Sequence, residues 1–245
     1  MPIVAETFET RLVGSRLLAP AVRELVLERA DGKPFLYDPG QWLNLILPLP
    51  DAELKRAYSI ASEPTGSARF DIAVTRVTGG PGSIYLHDLP QGSVLKAIGP
   101  YGLFTRAPDD AAPSLFVATG TGVTPLRSMI RAALAVSSTA PLWLLFGARK
   151  EEDILYREEF EELAKIRPGT RYDITLSQPS SAWTGRRGYV QEHVGELFRA
   201  MEAEATPGAS HLYICGLERM VKAVREVAVT ELGVPRRHVH TERYD

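Results

Sequence analysis

Cysteine is nearly absent: a single thiol, Cys215, occurs in 245 residues. An intramolecular disulfide is therefore impossible. So is a four-cysteine zinc or iron–sulfur site held by this chain alone. Long apolar runs are missing too, since the most apolar stretches, residues 42–49 and 141–146, fall far short of a bilayer crossing. Residues 1–18 scatter Glu6, Glu9, Arg11 and Arg16 among apolar positions and lack the long apolar centre of a signal peptide. Neither charge sign dominates, with 28 Lys plus Arg against 30 Asp plus Glu and a formal net charge of -2. That argues against a nucleic-acid partner, although a local basic patch is compatible with it. Hydrophobic residues at 44% and charged residues at 24% exclude a largely disordered, collagen-like or coiled-coil chain. The expectation is a soluble cytoplasmic protein of one large or two small domains, without membrane insertion.

The pattern changes near the middle of the chain. Apolar residues alternate in part over 23–28 and clearly over 42–47 and 70–75, as in half-buried strands. Turn signals separate them at Asp31-Gly32, Asp38-Pro39-Gly40 and Gly79-Gly80-Pro81-Gly82. Many short strands with Gly/Pro turns predict a small antiparallel β-barrel over residues 1–106. Residues 107–113 are polar and carry two prolines, and read as a linker or a plain loop. From 113 to 245, strand and helix patterns alternate. Strands are expected at 115–118, 142–146, 172–176 and 211–215. Helices are expected at 126–136, 151–166, around 190–198, and at 218–232, the last stopped by Gly233 and Pro235. Such units predict an α/β domain with a doubly wound parallel sheet.

Two motifs carry chemistry. Gly120-Thr121-Gly122-Val123-Thr124-Pro125 joins an expected strand to an expected helix. Glycines there let backbone N–H groups approach a pyrophosphate, and the helix end favours the negative charge. Pro125 suits the first helical turn. A ligand-free tight turn would share this pattern, and the spacing is not Gly-x-Gly-x-x-Gly. The second motif is Arg56-Ala57-Tyr58-Ser59. A strand-borne Arg can clamp phosphate, and Tyr58, two residues on, would share its face and could stack on a flat ligand. An ordinary half-buried strand with a surface Arg is the alternative.

Together the motifs resemble the ferredoxin–NADP reductase superfamily over nearly the whole chain and in the right order. Arg56-x-Tyr58-Ser59 is similar to the family's flavin motif, and Gly80-Pro-Gly82-Ser83 to its second, phosphate-facing one. Gly99-Pro-Tyr-Gly102 is similar to the turn closing the barrel, and residues 120–125 to the nicotinamide-phosphate loop. Phe146-Gly-Ala-Arg149, with Asp153 and Tyr156, and Tyr213-Ile-Cys215-Gly216 complete the set.

The resemblance implies a flavin-binding barrel at 1–106 followed by a nicotinamide-binding domain at 113–245. By that resemblance Arg56, with Gly80, Gly82 and Ser83, binds the pyrophosphate of FAD, preferred over FMN. Tyr58 stacks on the isoalloxazine and Ser59 lies near flavin N5. Gly120, Thr121, Gly122, Pro125 and Arg149 bind NAD(P)H, while Cys215 and Gly216 flank the nicotinamide. Glu242 is an acid near the flavin. Tyr244 is a terminal aromatic over the flavin face, here followed by Asp245. Ser177 and Arg187, with Arg186 and Tyr189, lean towards NADPH, although Gln178 stands where such relatives carry an arginine.

The implied activity is hydride transfer between NAD(P)H and FAD, with electrons passed to ferredoxin or flavodoxin. A flavoprotein subunit of a larger redox complex and a non-catalytic flavin-binding module are the alternatives. Candidate docking charges are Arg16, Lys33, Lys55, Arg69 and Lys96. Cys215 ends an apolar strand and reads more simply as a buried, inert thiol than as a nucleophile. His238 and His240 alternate without a clear third metal ligand. The acidic run 151–162 reads as a solvated helix face.

Overall fold

The computed structural model describes residues 4–50, 52–204 and 209–244. They form two compact units: the chain up to Pro108 together with Arg127–Val136, and Asp109–Leu126 together with the chain from Ser137. No helix among the described residues is long and apolar enough to cross a membrane.

The first unit contains β1 (Glu6–Ala19), β2 (Val22–Arg29), β3 (Trp42–Pro48), β4 (Glu53–Ser59), β5 (Arg69–Thr75), α1 (Pro81–Asp88) and β6 (Val94–Tyr101). The strands are antiparallel in the order β4-β3-β6-β1-β2-β5. The sheet curls back on itself just after β4. Ile60 bridges Ile72, and the Ala61 N–H donates to the Asp71 carbonyl at 2.7 Å. Inward positions follow the period of two: Leu43, Leu45 and Leu47 of β3 are fully buried. The rings of Phe8, Phe35 and Phe70 fill the centre, with Phe35 4.9 Å from Phe8 and 4.8 Å from Phe70.

Helix α1 is absent from the sequence expectation, because Gly-Gly-Pro-Gly reads as a turn. Pro81 sits in its first turn, where no N–H is needed. At its other end Arg23 Nη1 donates to the carbonyls of Leu86, His87 and Leu89 at 2.7–3.1 Å, satisfying acceptors that the helix leaves open.

Five charged groups gather beside the closure. Arg127 Nη1 donates to the Ala61 carbonyl at 2.8 Å and lies 3.8 Å from Asp71 Oδ2. Arg131 makes a two-pronged pair with Glu63, and Glu24 is buried nearby. Burial, and then the Glu24 charge, push the Asp71 carboxyl from 3.8 to about 6, against the pull of Arg127 and Arg131. The folded protein thus binds this proton more tightly than the unfolded chain. The stability it contributes is complete below pH 3.8 and is lost as pH rises through about 6. Asp71→Asn keeps the neutral form at every pH. Its stability relative to the parent is expected to improve between about pH 4 and pH 7 by on the order of 2 kcal/mol. Urea titrations at several pH values check this, and a difference that stays flat would refute it.

The second unit contains β7 (Ser114–Thr119), α2 (Val123–Ala135, of which the part from Arg127 belongs to the first unit), β8 (Leu142–Ala148), α3 (Arg157–Ile166), β9 (Thr170–Leu176), β10 (Arg186–Arg187), α4 (Val194–Glu204), β11 (His211–Leu217), α5 (Glu218–Glu226) and β12 (Val239–Tyr244). All six strands are parallel, in the order β10-β9-β8-β7-β11-β12. Leu115, Val117 and Ile214 pack with Leu197 and Met201 of α4 and Val221 and Val224 of α5. Central strands are apolar without interruption, as a sheet covered on both faces requires.

Three helices differ from expectation. Residues 151–166 do not form one helix: Glu151–Asp153 makes a separate single turn, and Tyr156 at φ 53° precedes α3. Ile154, Leu155 and Tyr156 are all buried, and drawing three successive side chains inward breaks the helical path. The helix expected around 190–198 is a short turn at Val190–Glu192 followed by the longer α4. The run 218–232 starts as α5 and loosens into a π-helical turn, Val227–Glu231. His238 and His240 stack with His211, at 4.5 and 5.1 Å between centroids. Burial, and then its two histidine neighbours, lower the His240 value to about 4.

Candidate flavin and nicotinamide sites

In the first unit, Arg56 and the start of α1 come together. A Cβ built on Gly82 would lie 3.1 Å from Leu47 Cδ1 and Leu54 Cδ2 and 3.4 Å from Arg56 Cγ. Glycine at 82 lets α1 sit this close to β4 without displacing those side chains. The outcome is a helix N-terminus beside the stem of Arg56, and both a helix N-terminus and a guanidinium suit an anion. Ser83 shapes that end: its hydroxyl donates to the Gly80 carbonyl and accepts from the Val77 N–H, each at 3.0 Å. Tyr58, half-buried against the barrel core, has its hydroxyl pushed up to about 12, mainly by burial. Ser59 is buried as β4 ends.

In the second unit the strand order reverses at β7 and β11, one leading to β8 and the other to β12. Open α/β sheets bind ligands outside the carboxyl ends of the strands at such a switch point. Gly120–Gly122 forms a single turn there, and Thr124 and Pro125 begin α2. Gly120 has φ +54° with nothing among the described residues within 4 Å of a built Cβ, so space is open above it. Gly122 is the opposite case: a Cβ would collide with the Cys215 carbonyl and come 2.8 Å from Gly216 Cα. Gly216, at φ +154°, has Thr119 Oγ1 2.5 Å and Met220 Cε 2.6 Å from its built Cβ. Thr119 and Thr124 are positions that the motifs did not single out. Thr119 Oγ1 is buried with no hydrogen-bond partner among the described residues, and Thr124 Oγ1 donates to the Thr121 carbonyl at 2.8 Å.

The C-terminal strand completes this end of the sheet. Glu242 pairs in register with Cys215, and Tyr244 with Leu217. The Tyr244 hydroxyl lies 3.4 Å from Thr124 Oγ1. Burial, and then the Glu242 charge, push the Cys215 thiol well up, while the Tyr244 hydroxyl opposes them. Cys215 is completely buried and therefore a thiol, not a thiolate.

Around β8 and β9, the Ser177 N–H donates to the Ala148 carbonyl at 3.1 Å and the Gln178 N–H to the Arg149 carbonyl at 2.8 Å. Arg149 is largely exposed. Arg186 does not supply free charge here, because it is ion-paired to Asp173 at 3.1 Å and Glu196 at 2.7 Å. Three of the candidate docking cations are likewise paired: Arg16 with Glu24 at 2.5 Å, Lys33 with Asp31 at 3.7 Å and Arg69 with Glu28 at 2.5 Å. Lys55 and Lys96 are exposed and flank Ile46 in one row across the barrel sheet, with Glu9 beyond Lys96.

These residues fit the two groups the motifs suggest. An anion cradle at Arg56 and α1 lies on the same strand as a half-buried aromatic. The open glycine turn and the buried, unpartnered Thr119 hydroxyl lie at a strand switch point. Such features define a two-domain flavin- and nicotinamide-binding oxidoreductase. The oxidoreductase FAD-binding domain family matches residues 11–105, and the oxidoreductase NAD-binding domain family matches residues 116–226. The chain is 64% identical to ferredoxin–NADP reductase B of Sorangium cellulosum (strain So ce56) over 99% of its own length and 100% of that protein. It is 30% identical to the phenol hydroxylase P5 protein of Acinetobacter pittii (strain PHEA-2), over 98% of this chain and 66% of that one. The crystal structure of the Amycolatopsis cytochrome P450 reductase GcoB matches with a TM-score of 0.83 and 26% identity, covering 98% of this chain and 70% of the other. The chain belongs to the ferredoxin–NADP reductase family.

Proposed function

We propose that this protein is a cytoplasmic reductase that takes hydride from NADPH onto FAD and passes electrons to a ferredoxin or flavodoxin. One observation carries the reading: the glycine turn after β7 and the Cys215-Gly216 corner of β11 meet at the strand switch point. Bound FAD supplies the chemistry of accepting a hydride and releasing electrons singly.

The protein's part is binding and orientation. Residues 1–106 hold the flavin: Arg56 and the N–H groups of α1 neutralise its pyrophosphate, with Gly80, Gly82 and Ser83 giving the close approach. Tyr58 would pack against the ring system, and Ser59 would offer a hydroxyl beside it near N5. Residues 113–245 hold the coenzyme. Gly120, Thr121, Gly122 and Pro125 accept its pyrophosphate, while Arg149, Ser177 and Arg187 border its adenosine end. The backbone of Cys215 and Gly216 would border the nicotinamide, with the buried, protonated thiol packed behind it as a neutral group. Glu242 and Tyr244 support that corner from β12. Orientation of this kind contributes through proximity, so no side chain has to act as a nucleophile.

Anaerobic mixing of the flavin-loaded protein with NADPH and, separately, NADH is expected to bleach the flavin within a catalytic turnover. Bleaching by neither rejects the reductase in favour of the non-catalytic module. Relatives named as reductase components of oxygenases support a second reading, a subunit of a larger complex. That reading predicts carrier reduction only alongside a stoichiometric partner.

A further inference from the structure

The rim formed after β8 and β9 carries a charge cluster in which Arg187 has a place in the proposed coenzyme site and Glu151 has none. Glu151 opens the single turn after β8. Its Oε1 accepts from the Ser180 N–H at 3.0 Å and from the Ser180 hydroxyl at 2.5 Å, and its Oε2 lies 3.4 Å from the same N–H. Arg187 holds the same serine from the other side. Its Nη2 donates to the Ser180 carbonyl at 3.2 Å and to the Trp183 carbonyl at 2.8 Å. The Trp183 indole N–H then donates to the Arg186 carbonyl at 2.8 Å, closing the loop on itself. One serine thus joins a carboxylate to a guanidinium, and residues 177–187 are ordered by both.

That loop begins at Ser177, whose N–H is bound to the end of β8. If the protein is the reductase proposed above, on which this inference rests, this rim receives the adenosine end of the coenzyme. There NADPH and NADH differ by one phosphate, which carries roughly one and a half to two negative charges at neutral pH. The Glu151 carboxyl is held below its usual range, first by the Ser180 hydroxyl and in smaller part by Arg187, so the acid stays ionised at neutral pH. Arg149 and Lys150 add cations at this rim, loosely paired with Asp153 at 4.0 Å and Glu152 at 3.9 Å.

We infer that Glu151 sets the coenzyme discrimination: it orders the loop through Ser180, and its charge offsets the attraction of Arg187 for a 2′-phosphate. The acid is a positioning and specificity residue, with no part in hydride transfer. A carboxylate several ångströms from a phosphate dianion in high dielectric weakens binding by about five-fold.

The test is Glu151→Gln, which keeps size and an acceptor for Ser180 but removes the charge. The ratio of kcat/KM for NADPH over NADH is expected to rise about five-fold at low salt. The change should lie in KM for NADPH, and it should shrink at about 0.5 M salt, where screening is strong. Affinity of the flavin-loaded protein for 2′,5′-ADP relative to 5′-ADP should rise in step, a readout that needs no turnover. Glu151→Ala also loses the loop tie and is expected to weaken both nucleotides. If both coenzymes bleach the flavin yet Glu151→Gln leaves the kinetic ratio and the nucleotide selectivity unchanged, the inference is wrong. If the parent protein is bleached by neither coenzyme, the reductase reading itself has failed, and the inference falls with it.

Discussion

Gly122→Ala is expected to cut coenzyme-driven flavin reduction by about 100-fold, the loss typical of an ångström-scale misplacement. The added methyl would overlap the Cys215 carbonyl and sit 2.6 Å from its carbon and 2.8 Å from Gly216 Cα. All of these are backbone atoms, so no flexible side chain can yield. Either the turn after β7 or the end of β11 has to move, and both border the proposed nicotinamide site. Gly120→Ala, in the same coenzyme turn, is the contrasting variant. Its Cβ meets nothing within 4 Å, so its structural cost is the left-handed backbone alone, roughly 1–2 kcal/mol. Stopped-flow reduction, with thermal unfolding of each variant, separates a displaced turn from a destabilised fold. Parent-like reduction by Gly122→Ala would mean that β11 gives way and does not fix the turn.

Arg56→Ala is expected to weaken FAD binding about 10- to 100-fold, the worth of a charge-assisted hydrogen bond to an anion. The apoprotein should keep its stability. The Arg56 side chain is exposed, and its Nη1 donates at 2.9 Å to the carbonyl of the adjacent Lys55. Arg56→Lys retains a charge but not the planar fork, and should fall between the two. Flavin fluorescence quenched on titration into apoprotein gives the affinity. An unchanged value would remove Arg56 from the flavin site.

Much of this arrangement is legible in the chain itself. The alternation over 42–47 and the apolar run 142–146 mark β3 and β8, because strand burial repeats locally. The glycine motif at 120–125 marks the end of β7 at which α2 begins, whereas Gly79-Gly80-Pro81-Gly82 reads only as a turn and leaves α1 unseen. Features set by distant partners are not legible. Tyr156 breaks the acidic run because the core draws in Ile154 and Leu155 as well. Arg186 looks available for a phosphate until Asp173 and Glu196 meet it. Arg16 and Arg69 look like docking charges until Glu24 and Glu28 face them across β-ladders. Thr119 is an ordinary strand residue in sequence, and only the register of β7 against β11 sets its hydroxyl against Gly216.

The buried state of Cys215 bears on chemical durability. Reduced flavins exposed to air yield peroxide, and peroxide attacks thiolates far faster than thiols, starting the ladder through sulfenic to irreversible sulfonic acid. A reductase whose only cysteine bordered the coenzyme as a thiolate would be inactivated by its own side product. Here complete burial and the neighbouring Glu242 charge both keep the proton on sulfur. The fold therefore shields its single thiol from the oxidant that the proposed reaction generates in air.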